Sequence, residues 1–335
     1  MKYLVTLKPI GNYFFGGEVT LGDDTSQNYF VKSNVLPQAS ALLGLMRYEI
    51  LRQHGLLSYD PYQQKIVDKV HDYIGKEGFS LEKHIKQYGI IYNISPIFLT
   101  DGSDFYTAMP LDKDHPVSFS LKNRCSYIGS EIKNGPIISG FDPKKYETFK
   151  YWCNFLGKRL NAPFLFPQQI GITKNGRKAD GKDAFYKQTL VQLNPSLSFA
   201  FTVEIDKQHP LETGTRIVPL GGNRSMFFMT INESEVCDMR TIFNPLHRNG
   251  RLLALGDVFL STEELQKCTF IWGENKSYRY MLNSTKKQHS WVKPIKTSVL
   301  YHLLSKGSVI YADEQTLKQL KNHSAFQNVG LNYFI

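Results

Sequence analysis

The chain has 335 residues, and its 40 Lys and Arg exceed its 30 Asp and Glu to give a formal net charge of +10. This length favours two domains. No apolar run approaches the roughly 20 residues that span a bilayer. The N-terminus lacks a signal-peptide pattern, so we expect a cytoplasmic protein with no membrane partner. The positive charge favours a polyanionic partner, although a solvated basic surface without one is the alternative.

Composition also argues against several kinds of chemistry. The four cysteines are widely spaced, and no CxxC or HxxxH pair occurs. A zinc site or redox motif is therefore not expected. The sequence has no paired-carboxylate signature and no phosphate-binding Walker motif. We expect no metal, no cofactor and no catalytic residues.

The first elements are a strand at residues 3–7, a glycine-rich loop at 11–24 and a helix from Pro37 to about Gln53. Pro37 suits the first helical position, and Asn34 or Ser33 lies near the cap. Apolar residues at helical spacing, Leu42, Leu43, Met46 and Ile50, should face a sheet.

An inserted helical pair is predicted at 59–86, followed by strands at 88–99 and 105–109 and a second helix at 146–160. Residues 169–183 form a polar loop with glycines, and 184–193 a strand. This hairpin-like segment is expected to reach outward from the body.

A second unit begins near Asn194. Alternating apolar residues predict a strand at 197–205. Helices are predicted at 262–266, 298–304 and 314–322, and strands at 308–311 and 329–334. This βαββαβ-like rhythm predicts an α+β fold of two tandem ferredoxin-like (RRM-like) domains, with glycine-rich loops and insertions. The predicted domains are 1–193, which carries the insertion and the hairpin, and 194–335.

Each half contains a glycine pair after a strand-like segment. Gly221 and Gly222 precede Asn223, Arg224 and Ser225. Glycine permits unusual backbone angles and lets a ligand approach the chain, and the three polar residues offer donors to a polyanion. Gly16 and Gly17 form the other pair. In each case, a plain turn is the structural alternative.

Two further groups of residues suit RNA. Ser40, Gly44 and Arg47 share one helix stripe, with Gln38 near its start, where Arg47 offers a planar fork for phosphate. A solvent-facing arginine and a glycine needed for close helix packing are the alternative. In the polar loop, cations are followed by aromatic residues, which suits single-stranded RNA unless Phe185 belongs to the core. These loop residues are Lys174, Arg177, Lys178, Lys182, Phe185 and Tyr186.

Five segments together resemble a known family. They are 8–18, 28–47, 171–190, 220–225, and 306–311 with 329–331. The run Lys8-Pro-Ile-Gly-Asn-Tyr-Phe-Phe-Gly-Gly-Glu18 is the more specific part. The sequence resembles the RAMP superfamily and, within it, the Cmr subunit three family of type III-B CRISPR effector complexes. It departs from the usual pattern at Asn223, where an acidic residue is frequent.

The resemblance implies a non-catalytic subunit that holds the repeat-derived 5′ end of the guide RNA. It also implies docking on the large polymerase-like subunit, contact with the backbone RAMP subunits, and indirect contact with target RNA. The alternatives are a RAMP endoribonuclease that uses His54 as a general base, and a pure assembly scaffold. The predicted RNA-binding residues are Gly16, Gly17, Asn34, Gln38, Ser40, Gly44, Arg47, Lys174, Arg177, Lys178, Phe185, Gly221, Gly222, Asn223, Arg224, Ser225, Lys306 and Gly307.

Overall fold

The fold is taken from a computed structural model, which describes most of the chain. The described residues are 1–16, 29–58, 63–83, 85–114, 117–119, 125–127, 130–132, 136–138, 151–172, 174–175, 178–179, 185–236, 238–282, 297–322 and 326–335.

Strands outnumber helices in the described part of the chain. In chain order they begin with β1 (Lys2–Pro9), β2 (Tyr29–Lys32), β3 (Ile91–Ile94), β4 (Phe98–Thr100), β5 (Phe105–Ala108), β6 (Val117–Phe119), β7 (Cys125–Tyr127), β8 (Ser130–Ile132), β9 (Pro136–Ile138), β10 (Trp152–Cys153), β11 (Arg159–Leu160) and β12 (Phe164–Leu165). They continue with β13 (Gln168–Ile172), β14 (Lys174–Asn175), β15 (Lys178–Ala179), β16 (Phe185–Thr189), β17 (Gln192–Leu193), β18 (Ser198–Ile205), β19 (Gly214–Pro219), β20 (Met226–Glu233), β21 (Arg251–Leu253), β22 (Phe270–Trp272), β23 (Asn275–Tyr278), β24 (Tyr301–Leu304) and β25 (Val309–Tyr311).

The α-helices are α1 (Ala39–Gln53), α2 (Gln64–Ile74), α3 (Met239–Phe243), α4 (Thr262–Lys267) and α5 (Glu314–Asn322). Two short 3-10 helices cover Asn244–Leu246 and Gln327–Val329. The predicted α+β class is confirmed. None of the helices in the described ranges combines the length and the apolar character needed to cross a membrane.

The largest sheet has nine strands in the order β11-β10-β5-β4-β18-β1-β20-β19, with β3 also paired to β18. Strand β1 lies between β18 and β20 and is antiparallel to both, so Val5 faces Phe201 on one side and Ile231 on the other. These three residues are fully or almost fully buried. The predicted apolar face of 197–205 lies in the core. The expectation of a half-buried strand was wrong at its centre, because Ala200 and Thr202 on the opposite face are buried as well.

This sheet takes strands from both sides of residue 194. Strands β1, β4, β5 and β10 precede that residue, and β18, β19 and β20 follow it. The division into domains 1–193 and 194–335 stays a prediction, and no break between sheets accompanies it. A separate three-stranded sheet, β21-β25-β22, lies in the C-terminal part, where Leu252 and Ile310 pack with Leu317 and Leu320 of α5.

Helix α1 buries the predicted face. Leu42, Leu43, Met46 and Ile50 are all at most 2% exposed and join the core cluster of the large sheet. The predicted start was wrong, because Gln38 is the N-cap and makes no side-chain capping bond. The side chains of Ser33 and Asn34 are instead used by a neighbouring loop, described below.

Three other predicted elements were wrong in the described residues. Residues 151–160 form β10 and β11 rather than a helix, because the Asn154 side chain accepts bonds from Leu156 N and Lys158 N and closes a turn. Residues 301–304 pair with β23 as a strand, not a helix. At 329–334, a 3-10 turn is followed by a single bridge between Phe334 and Ala254. Within the described residues of the 59–86 insertion, only one helix, α2, is present.

Candidate nucleic-acid interface

The two glycine-bearing turns, far apart in sequence, lie against each other. Gly222 N donates to Phe14 O at 2.8 Å, and Phe14 N donates to Ser225 Oγ at 2.9 Å. The Ser225 hydroxyl in turn donates to Gly222 O at 2.6 Å. Ser225 is 5% exposed, so its hydroxyl holds the turn together rather than offering a donor to a polyanion as predicted.

Two more segments complete this arrangement. Phe15 N donates to Ser33 Oγ at 2.8 Å, Asn34 N donates to Phe15 O at 2.9 Å, and the Asn34 side-chain amide donates to Gly16 O at 2.9 Å. Tyr13 and Val191 exchange backbone bonds at 2.8 and 3.0 Å. We call residues 13–16, 33–36, 188–191 and 220–225 the loop cluster.

The outer rim of the loop cluster is exposed. Gly16, Gly221, Asn223 and Arg224 are all exposed. Asn223 and Arg224 have φ of 52° and 56°, a left-handed conformation that costs a non-glycine residue about 1–3 kcal/mol and is concentrated at functional sites. The Asn223 side-chain amide donates to Gln188 Oε1. In the described part of the chain, Arg224 has no hydrogen bond or ion pair.

The glycines of the loop cluster serve different purposes. Gly221 has a φ of +89°, and a Cβ there would lie 2.4 Å from Phe14 O. Its missing side chain is thus required by the contact between the two turns, not by an external ligand, which corrects the sequence interpretation. A Cβ at Gly222 would lie 3.0 Å from Phe14 Cδ1. A Cβ at Gly16 would meet nothing within 4 Å.

On helix α1, the predicted stripe is partly occupied by the chain itself. The Ser40 hydroxyl lies 3.2 Å from the Tyr278 hydroxyl, which donates to it. Arg47 donates from Nη2 to Glu77 O at 2.6 Å, and its guanidinium lies 5.1 Å from the centre of the Tyr88 ring. Burial lowers the pKa of Arg47 and raises the pKa of Tyr88 to about 12. The prediction that Arg47 offers its guanidinium freely to phosphate was therefore wrong, because the guanidinium is engaged by Glu77 O and the Tyr88 ring.

Gly44 differs from its neighbours on that stripe. It is exposed, and a Cβ there would meet nothing within 4 Å. Close helix packing, the structural alternative considered for this glycine, therefore does not explain it. Glycine inside a helix costs roughly 0.5–1 kcal/mol relative to alanine. Gln38, at the start of the helix, is half-buried.

Lys306 and Gly307 lie inside the protein, contrary to the prediction. Lys306 is 5% exposed, donates from Nζ to Ile97 O, and has Nζ 4.4 Å from the centre of the Phe98 ring. Burial lowers its pKa to about 7. A Cβ at Gly307 would lie 3.0 Å from Met109 O. Both residues support the join between the C-terminal part and the large sheet.

The loop cluster borders a cleft of about 560 Å³. Its lining includes Lys32, Asn34 and Phe166, and also Lys276 of β23, which pairs with Asp257 at 2.7 Å. The Lys32 ammonium lies 5.9 Å from the centre of the Phe166 ring, which is 49% exposed. Lys32 was missed at the sequence level, although it lies in the 28–47 segment that carries the resemblance.

Several predicted residues are described only in part. Gly17 and Arg177, as well as Lys182, lie outside the described residues. Lys174 and Lys178 lie on paired strands β14 and β15, and Phe185 begins β16 opposite Ile172. The backbone thus forms the predicted hairpin, in which β13 pairs with β16 and β14 pairs with β15.

His54 lies at the end of α1, away from the glycine turns in sequence. Its ring stacks on Tyr73 with centroids 4.0 Å apart, and its centroid is 6.3 Å from that of His209. Burial, followed by the charges of His209 and Lys69, lowers the pKa of His54. A neutral imidazole at neutral pH can act as a base, but stacking on Tyr73 is also an ordinary packing role. In the described ranges, no group of three or more His, Cys, Asp or Glu is arranged to hold a metal ion.

The fold and the loop cluster define an α+β protein whose exposed loop rim carries Arg224 and borders a cleft lined in part by Lys32. Residues 137–249 match the family model described as CRISPR-associated protein (Cas_Cmr3). The match confirms the resemblance to the Cmr subunit three family that the sequence predicted.

Solved structures show the same fold. One similar chain comes from the cryo-EM structure of the Type III-B Cmr-beta bound to cognate target RNA, and another from that complex with AMPPnP, state 1. Each is 11% identical, covers 100% of this chain and 96% of the solved chain, and has a TM-score of 0.54. A search of the curated proteins finds no match.

Proposed function

We propose that this protein is a non-catalytic subunit of a type III-B CRISPR effector complex in the cytoplasm. It binds the repeat-derived 5′ end of the guide RNA, docks on the large polymerase-like subunit and contacts the backbone RAMP subunits. Target RNA is reached only indirectly, through the guide. The matching family model, the fold shared with a chain of a target-RNA-bound Cmr-beta complex and the basic charge support this proposal.

One observation carries the RNA-binding part of the proposal, namely the exposed rim of the loop cluster. It combines the open backbone at Gly16, the exposed Arg224 guanidinium and, at its border, Lys32. Glycine loops let a ribose-phosphate strand approach the main chain, and cations pair with its phosphates. The cluster is tied together by hydrogen bonds between four segments, so these groups are held in place before RNA arrives.

The experiment measures binding of guide RNA as a function of salt concentration. Each phosphate contact with single-stranded RNA adds about 0.7 to the slope of log affinity against log salt. Arg224→Gln and Lys32→Gln should each reduce the slope by about that amount. RNA lacking the repeat-derived 5′ end should bind more weakly than the intact guide and should respond less to both substitutions.

The matched control is Arg159→Gln. Arg159 is also partly exposed, but it pairs with Asp114 and lies outside the loop cluster. It should leave the slope unchanged. An equal response of control and test variants would assign the effect to net charge alone. A complex that assembles with full guide occupancy after loss of both Arg224 and Lys32 would favour the scaffold alternative.

The endoribonuclease alternative rests on the group formed by His54, Tyr73 and His209. Two imidazoles beside a phenol are residue types that serve as acid and base in RNA cleavage. Incubation of the pure protein with repeat RNA in EDTA decides between the two functions. A defined cut that is lost in His54→Ala would establish the nuclease, whereas intact RNA supports the binding subunit.

A further inference from the structure

A second cleft, of about 330 Å³, shares none of its described lining residues with the cleft beside the loop cluster. Its walls are contributed by the loop after β5, the turn between β10 and β11, and the segment between α3 and β21. Among the described residues, three cations line it: Lys113, Arg248 and Arg251. Apolar walls come from residues that include Phe155, Leu156 and Leu246. None of these was singled out by the sequence or used in the proposed function.

Arg251 is the unusual member of this group. It is 2% exposed, its Nε lies 2.7 Å from Oδ2 of Asp112, and its Nη2 donates to Leu246 O at 3.2 Å. Its Nη1 is buried without a hydrogen-bond partner. A buried donor left unpaired is unfavourable, and here it belongs to a charged group whose pKa burial lowers. The fold therefore holds, beside a cleft, a buried guanidinium whose Nη1 has no partner and whose Nε contacts Asp112 as an ion pair without a hydrogen bond.

The surrounding charges leave the cleft positive. The carboxylate of Asp112 is 1% exposed and accepts from the Tyr311 hydroxyl at 2.7 Å besides its pair with Arg251. Arg248 donates to Asp112 O at 3.4 Å, but 49% of its side chain is exposed. Lys113 donates to Gly157 O. The Asp112 carboxylate thus lies 2.7 Å from Arg251 and 3.8 Å from Arg248, and no acidic side chain of the described residues lines the cleft itself.

We propose that this cleft binds a phosphate group, either as free phosphate or as the phosphate of a small monoester. Guanidinium donors match the oxygens of phosphate, and an ammonium adds a point charge. The cleft is near the lower end of the size range of small-ligand sites, roughly 300–1,000 Å³. Its apolar walls favour a monoester with an apolar body, because Leu156 is 74% exposed and gains cover when such a ligand binds.

Calorimetric titration of the full chain with inorganic phosphate, with chloride balancing the ionic strength, tests the site. We expect saturation at one equivalent. Lys113→Gln and Arg248→Gln should each weaken binding about tenfold, the effect of losing one charge-assisted hydrogen bond. Arg251 itself is left in place, because its removal strands the buried Asp112 charge. Arg159→Gln, an exposed arginine that does not line the cleft, is the matched control and should bind like the wild type.

Further titrations identify the ligand. Phenyl phosphate that binds more tightly than inorganic phosphate indicates a monoester, and equal affinities indicate free phosphate. The proposal is overturned if phosphate does not saturate, if acetate binds as tightly as phosphate, or if the control loses as much affinity as the two test variants. Displacement of phosphate by guide RNA would overturn it as well, since the cleft would then belong to the RNA path. Loss of guide binding in Arg224→Gln with intact phosphate binding separates this site from the proposed function.

Discussion

The contact between the two glycine turns makes Gly221 the most sensitive position of the loop cluster. A Cβ at Gly221 would lie 2.4 Å from Phe14 O and 2.8 Å from Phe15 Cδ1, on a backbone with φ of +89°. Both distances are shorter than real Cβ contacts allow, so Gly221→Ala must separate the two turns. The substitution therefore acts on the fold and, through it, on the exposed rim.

The expected loss of stability combines two effects. The left-handed backbone costs a residue with a side chain roughly 1–2 kcal/mol. Separation of the turns also loses the hydrogen bond from Gly222 N to Phe14 O, which contributes about 0.5–1.5 kcal/mol. Together they lower the free energy of unfolding by about 1.5–3.5 kcal/mol, which corresponds to roughly 2–5 °C in Tm for a chain of this length.

Thermal unfolding of Gly221→Ala beside Gly16→Ala measures this effect. Gly16 lies in the adjoining turn, but a Cβ there meets nothing within 4 Å, so its substitution should change stability by no more than about 0.5 kcal/mol. Guide-RNA affinity should fall in Gly221→Ala, because the rim residues Asn223 and Arg224 follow directly. Equal Tm values for the two variants would refute the argument that this glycine serves the contact between the turns.

Three other outcomes follow from single residues. Gly44→Ala should raise the free energy of unfolding by about 0.5–1 kcal/mol in a thermal melt. It should also weaken binding to guide RNA or a partner subunit, because no contact within the described chain requires a glycine at this exposed position. Binding that stays unchanged would assign no function to Gly44. Burial lowers the pKa of Lys306 to about 7 in the folded protein. At pH values between about 7 and the ordinary lysine pKa, the unfolded chain therefore binds more protons at Lys306 than the folded chain does. Wild-type stability should therefore rise with pH across this window relative to Lys306→Met, by at most about 1.4 kcal/mol per pH unit, in chemical denaturation; parallel pH profiles would contradict a buried neutral amine. For His54, the lowered folded pKa means that stability is lost as pH falls through the ordinary histidine range, because the unfolded chain protonates first. Protection factors of the α2 amides should fall on acidification more in the wild type than in His54→Phe, which keeps the stacking on Tyr73. An equal fall in both proteins would show that protonation of His54 does not destabilise α2.

The sequence alone indicated much of the framework. The alternation at 197–205 and the helical spacing of Leu42, Leu43, Met46 and Ile50 are local patterns, and both faces are buried as predicted. Strong periodicity reports burial directly, since the period of a helix or strand decides which side chains share a face. The family resemblance carried by residues 8–18 and 28–47 was also visible in the sequence alone. By contrast, the predicted helix at 146–160 overlooked the turn made by Asn154 and Gly157.

The site depended far more on tertiary structure. Only the folded chain places Phe14 against Gly222 and turns Ser225 inward, because the hydrogen bonds of Phe14 with these two residues join positions 208 and 211 apart. Other contacts formed on folding pair Arg47 with Glu77 O and bury Lys306 against Phe98. The sequence had predicted both residues as cations free to bind RNA. Contacts formed on folding also create the cleft at Arg251. Local pattern fixes which residues favour burial or a turn, whereas the partner of each polar group depends on chain segments that meet only after folding.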